Sequence, residues 1–215
     1  MDIQIEKPQA EKLHAALQAL CDETEIRRVV QNWALWRDTG AWENLRGCYA
    51  PGARVQTTWL VGTAEEFIAA SQASFERPQA PRGTHAIGAS SIRIEGDKAL
   101  AETRMTLLVR ATLEGLEVDA TAWGRFVDWF VRIDGRWAIA RRYAIHEKDR
   151  LDTVDPAAVL KLDAERLARF PSGYRHLAYL QSRGGAQITP DLALHNSAAQ
   201  DAIYASSQEW LQSRD

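Results

Sequence analysis

Between Asp22 and Thr39 the apolar residues Ile26, Val29, Val30, Trp33 and Trp36 recur at helical spacing. Asp22 or Thr24 can cap the start of this helix, and Thr39-Gly40 can end it through a left-handed glycine. Residues 1–20 read as a short, frayed helix of their own. A second short helix covers 41–49, and Pro51-Gly52 breaks it. Residues 53–61 suggest a strand, and Thr63 caps a third helix that runs to Phe75. After the loop RPQAPRG the pattern turns to β over 85–95, 98–110, 117–133 and 136–146, with EGDK and IDGR as hairpin turns. Beyond Asp149 helical patterning returns: one helix from Pro156 to Phe170, a stop at Pro171-Ser172-Gly173, and two short segments around GGAQITPD.

Three helices followed by an antiparallel meander make an α+β pattern. We expect a domain over 1–150 and a helical extension over 151–215, packed on the same domain or on a neighbouring subunit. Strict alternation through RWAIARRYA puts Trp137, Ile139, Arg141 and Tyr143 on one face and Ala138, Ala140 and Arg142 on the other. In the preceding strand Gly124, Phe126 and Asp128 share a face, against Trp123, Arg125, Val127 and Trp129. The faces carrying small residues leave room for a cavity. The outer face with Trp123, Val127, Trp129 and Val131 is too apolar for water, which implies a homo-oligomer, either dimer or trimer.

The eight tryptophans can line an aromatic pocket, but they serve equally as core or interface residues. A formal net charge of −3 gives no basic footprint for nucleic acid and no polybasic membrane patch. The N-terminal residues lack a signal-like apolar core and no stretch is long enough to span a bilayer, so a cytoplasmic location is expected. Cys21 and Cys48 stand far apart with no metal-ligand or disulfide spacing.

Two residues stand out for chemistry. Asp38 ends a helix whose last turn is apolar all round; it is either a solvated helix-end charge or a buried carboxylate that requires a partner. His85 follows a turn-rich loop and opens a strand, as a structural histidine or as a group matched to proton transfer near pH 7. His146 ends the last strand and would lie at its rim. No metal cluster, phosphate loop, nucleophile elbow or dinucleotide fingerprint is present, which leaves cofactor-free acid–base work or binding.

The order of WRDTGAWENLRGCYAPGARV, GTHAIG and IDGRWAIARR resembles the SnoaL-like branch of the nuclear-transport-factor-2-like superfamily over residues 22–149. The resemblance implies a curved antiparallel sheet wrapped by helices into a cone around an apolar pocket. It is strongest to scytalone dehydratase and hexachlorocyclohexane dehydrochlorinase, which use an Asp–His dyad for elimination. Carried over, the dyad falls on Asp38 and His85, and Arg142 matches a pocket arginine that stabilises departing charge. Arg110 falls where the dehydratase has a second histidine, and Arg37 and Thr57 where it has tyrosines. Asp38, His85, Arg142 and Arg110 are thus the catalytic candidates, with Trp33, Thr57, Trp59, Arg104 and Phe126 as substrate-binding ones. The long tail is similar to that of cofactorless lyases acting on lignin-derived diarylpropane diols. The expected substrate is a hydrophobic, oxygenated aromatic molecule, and the alternatives are an isomerase, a cyclase or a non-catalytic subunit.

Overall fold

Three β-hairpins organise the chain, and each turns on residues in the left-handed region: Gly96, the pair Glu114-Gly115, and the pair Asp134-Gly135. The computed structural model describes residues 7–78 and 80–213. Its elements are α1 (Lys7–Thr39), α2 (Trp42–Arg46), β1 (Tyr49–Gln56), β2 (Val61–Thr63) and α3 (Ala64–Phe75). Then come β3 (Arg82–Glu95), β4 (Lys98–Leu113), β5 (Leu116–Ile133) and β6 (Arg136–Thr153), followed by α4 (Ala164–Ala168), α5 (Arg175–Arg183) and α6 (Ala198–Gln212). One sheet runs β2-β1-β6-β5-β4-β3, antiparallel except where β1 lies parallel to β6. The result is an α+β fold with a curved, open six-stranded sheet.

Each face of the sheet has its own cover. On the inner face, Ile26, Val30, Trp33, Phe67 and Ile68 from α1 and α3 pack on Ala101, Met105, Phe126, Phe130 and Ile139. Further along the same face, Tyr179 and Leu180 of α5 seal Leu113, Val118 and Ala120. The outer face is covered by α6: Trp129 stacks on Trp210 at 4.7 Å and donates to Ser207 Oγ, while Arg125 donates to Gln200 and Tyr204. The apolar outer face that suggested an oligomer is therefore closed by the chain's own extension. The exposed apolar residues of α1 are instead Leu13, Leu17, Leu20 and Leu35.

Several sequence-based boundaries change. No break occurs at residue 22; α1 is continuous from Lys7, and residues 1–6 of the expected first helix lie outside the described residues. Asp22 does not cap. It is buried, holding both Nη atoms of Arg132 and the indole N–H of Trp137, so tertiary bonds claim the carboxylate a cap would use. The helix expected from Pro156 to Phe170 shrinks to α4, one short helix capped by Asp163. The strand expected over 53–61 starts at Tyr49, ends at Gln56 and turns through Thr57 into β2. Strand β6 runs on to Thr153, past the 150/151 boundary drawn from sequence. His146 consequently sits well inside β6 rather than at its rim, with 6% exposure and its ring 4.7 Å from that of Tyr174.

Bulges correct the alternation read in β6. Trp129 pairs with Arg141, but Phe130 pairs with Ile139, so Ala140 is an extra residue. That single insertion puts Trp137 and Ile139 on the inner face together with Arg142 and Ala144, while Arg141 stays outside over Trp129. The inner face is also less roomy than expected, because Arg142 (1% exposed) and Asp128 (0%) fill it.

Candidate active site

The last turn of α1 ends in a left-handed Gly40, and the Ala41 N–H closes back on the Trp36 carbonyl. This stop sets Asp38 against the start of β3. A carboxylate at the negative end of a helix dipole is disfavoured. Two bonds from one residue offset that cost: the backbone N–H of His85 donates to Asp38 Oδ2 at 2.6 Å, and His85 Nδ1 meets Oδ1 at 2.7 Å. The two side chains keep only 13% (His85) and 12% (Asp38) exposure. Burial pulls the His85 pKa below its ordinary value; Asp38 opposes the shift, and the guanidinium groups of Arg37 and Arg142 add to it. The ring is therefore neutral near pH 7. With Nδ1–H committed to Asp38, Nε2 carries the lone pair and has no protein partner among the described residues.

Aromatic rings fix this imidazole in place. Trp33 meets it edge-on at 5.2 Å, Phe126 lies 6.5 Å away, and Trp33 stacks on Phe67, which stacks on Trp59. The Trp33 indole N–H donates to the hydroxyl of buried Tyr49. Trp33 and Phe126 meet edge to face at 5.3 Å, and the Arg142 guanidinium lies over both, 4.0 and 4.1 Å from their ring centroids. Its Nε and Nη2 bind both oxygens of Asp128 at 2.7 Å, while Nη1 is buried with no partner. Asp38, His85, Trp33, Phe126 and Arg142 thus form one contiguous cluster, with Trp59 reached through Phe67.

Three other candidates are not part of it. Arg110 lies on the outer face of β4, locked to Asp119 by two bonds of 2.8 and 2.7 Å. Its even position is opposite in phase to the inner residues Met105 and Leu107, so it cannot reach the dyad. Arg104 is outside for the same reason, with 67% side-chain exposure and a 3.5 Å contact to Glu147. The Thr57 hydroxyl is used up in its own turn, donating to the Leu60 carbonyl and accepting from the N–H groups of Trp59 and Leu60.

Arg37, which the resemblance puts at a tyrosine position of the dehydratase, precedes Asp38 and influences His85. A second Asp–His pair repeats the first: Asp149 accepts from the Leu177 N–H at 2.7 Å and contacts His176 Nδ1 at 2.9 Å. The register places it on the dyad's own cross-strand row, His85–Leu107–Ala122–Asp149. Three strand spacings, roughly 14 Å along the sheet, separate the ends of that row. Only the extra residue Glu147 in β6 brings Asp149 into phase, a shift that alternation alone does not show.

Among the described residues no group of His, Cys, Asp and Glu could hold a metal ion, and no helix is long and apolar enough to cross a membrane. An open groove of about 900 Å³ runs along another flank of α1, lined by Leu17, Leu20, Trp36, Tyr49 and Trp137, but neither dyad residue borders it.

Comparison with known proteins agrees with this architecture. A pea pathogenicity protein of Fusarium vanettenii is 30% identical over 200 residues, covering 89% of this chain and 86% of that protein. The crystal structure of a putative scytalone dehydratase from Novosphingobium aromaticivorans superposes with a TM-score of 0.52 at 16% identity, over 66% of this chain and 97% of that one. A type 2 hexachlorocyclohexane dehydrochlorinase superposes with a TM-score of 0.55 at 11% identity, over 68% and 97%. At these identities the two structures share the fold alone. The model of the SnoaL-like domain matches residues 18–143, more than half of the sequence, and the chain belongs to that family.

Proposed function

We propose that this protein is a cofactor-independent lyase that eliminates water, or water plus formaldehyde, from a hydrophobic oxygenated aromatic substrate such as a lignin-derived diarylpropane diol. The observation that carries this reading is the Asp38–His85 pair: a neutral imidazole oriented by a carboxylate through Nδ1, with Nε2 left free. For loss of water alone, His85 Nε2 takes a proton from the carbon beside the departing hydroxyl as the C–O bond breaks. For loss of water plus formaldehyde it takes the hydroxymethyl O–H proton as the C–C bond breaks to release formaldehyde, and in both cases the hydroxyl leaves as water with that proton. Asp38 fixes the tautomer and stabilises the imidazolium that forms. The Arg142 guanidinium, packed over Trp33 and Phe126, supplies positive potential for charge building on the leaving oxygen. Trp33 and Phe126, both buried, form the apolar wall beside the dyad, and Trp59, behind Phe67, is the half-buried ring on that side. Proteins described as a putative scytalone dehydratase and a dehydrochlorinase share this fold, which accommodates such elimination.

The test is turnover of benzylic alcohols and diaryl diols without added cofactor, followed by mass spectrometry. Loss of 18 mass units (one water, roughly), or of water and formaldehyde, is expected with the wild type, and a decrease of ~10²–10⁴-fold with His85→Ala. A product of unchanged mass would replace elimination by isomerisation. Full turnover by His85→Ala would remove the dyad from the chemistry.

A further inference from the structure

We infer that Arg37, together with the free Nη1 of Arg142, binds an oxyanion of the substrate, so that the molecule processed at the dyad is an aromatic carboxylate or phenolate. This rests on the dyad reading above and adds the charge of the substrate to it.

The inference begins with hydrogen-bonding capacity. Arg37 follows Trp33 by one helical turn, so both project from the same side of α1. The charge of its guanidinium is felt by Asp38, Tyr49 and His85, which places it on the dyad's side of the helix. It is not among the residues lining the groove on the other flank. Arg27, Arg46, Arg110, Arg125, Arg132 and Arg142 all hold carboxylates. Arg37 is part-buried, yet no hydrogen bond or ion pair engages its guanidinium among the described residues. A guanidinium has five N–H donors, and withdrawing them from water without a partner is costly. Burial accordingly draws its pKa down.

No neighbouring carboxylate pairs with it among the described residues. Both oxygens of Asp38 are engaged by His85, and both oxygens of Asp128 by Arg142. Arg142 in turn leaves Nη1 fully buried and without a partner, on a guanidinium packed over two rings that both flank His85. Beside the base nitrogen, the unused groups of Arg37 and Arg142 are donors on cations. An oxyanion is their chemical complement, and guanidinium recognises one in a planar, two-bond fork. The apolar wall formed by Trp33 and Phe126 calls for an aromatic body beside it.

Cinnamate and its neutral isostere cinnamamide test this on the full chain, by calorimetry and tryptophan fluorescence. Wild-type protein is expected to bind cinnamate roughly tenfold or more tightly than cinnamamide. Arg37→Met should abolish the preference, Arg37→Lys should keep part of it, and the outer-face control Arg104→Met should keep all of it. Circular dichroism and melting temperature confirm that each variant is folded. A second arm uses 4-nitrophenol, whose absorbance should move toward the phenolate form on binding to wild type but not to Arg37→Met. Success in only one arm identifies the oxyanion as carboxylate or phenolate. Equal binding of acid and amide, no saturable binding of either anion, or a preference that survives Arg37→Met overturns the inference. His85→Ala should retain the preference while losing turnover, so a failure of the lyase reading and a failure of this one give different results.

Discussion

Arg142 with Asp128 and Arg110 with Asp119 make the same two-bond contact on neighbouring strands: 2.7 Å for both bonds in the first pair, 2.8 and 2.7 Å in the second. Bond geometry does not distinguish them. The inner pair retains 1% and 0% side-chain exposure, and its guanidinium packs over two aromatic rings beside the dyad. The outer pair retains 50% and 44% and is bathed in solvent. Burial disfavours ionised Asp128, and only the Arg142 charge and its hydrogen bonds act against that. Asp119 is held below the usual carboxylate range by Arg110, with little burial to oppose it. The same residue types therefore give a committed element of the site on one face and a surface ion pair on the other. A period-2 strand assigns them, and a one-residue change of phase would exchange their roles.

The largest expected contrast is catalytic. His85→Ala on the inner face should cost ~10²–10⁴ in turnover, whereas Arg110→Ala on the outer face should leave the rate unchanged. Loss of activity in Arg110→Ala would mean that the outer face takes part. Next comes stability. Asp128→Ala strands a buried guanidinium and should destabilise the fold by about 3–5 kcal/mol in urea unfolding, while Asp119→Ala should barely move the midpoint. Equal effects would break the distinction between the two pairs.

A third expectation concerns acid. Burial pushes the pKa of His146 down from 6.5 to about 4 in the folded chain. Between those values the unfolded chain binds more protons, so the stability linked to this group is complete above 6.5 and is lost as pH falls toward 4. That loss amounts to roughly 3 kcal/mol, and unfolding curves at several pH values should show it flattened in His146→Phe. A slope unchanged by that substitution would assign the acid sensitivity to other groups. The smallest effect is a displacement along the pH axis. The acid limb of kcat/KM should inflect below 6.5, and removing the Arg37 charge in Arg37→Met should move it upward. A downward displacement would contradict the electrostatic role given to Arg37.

These contrasts also mark how far the sequence could be read. The helix stop at Gly40, the alternation of β5 and β6 and the family motifs were enough to bring Asp38, His85, Phe126 and Arg142 together. Arg110 came from a position-by-position match to the dehydratase that takes no account of strand phase; its even number in β4 puts it, like Arg104, on the outer face. Trp137 and Ile139 were assigned to the wrong face because Ala140 is bulged, and a bulge leaves no mark in hydrophobic periodicity. Asp149 escaped notice for the same reason, at Glu147. The continuous α1 was unreadable because Asp22 has the chemistry of a helix cap, and only the fold brings Arg132 and Trp137 to it. The outer face was correctly recognised as too apolar for water, but its cover is the chain's own α6.

Nitrogen NMR of the His85 ring across pH 5–8, roughly one unit either side of neutrality and below, tests the dyad without any substrate. At pH 7 the ring should be neutral, with the proton on Nδ1 and the lone pair on Nε2, and it should titrate below 6.5. In Asp38→Asn that tautomer should no longer be fixed. An imidazolium at pH 7, or a proton resident on Nε2, would leave no base facing the site and would contradict the proposed chemistry.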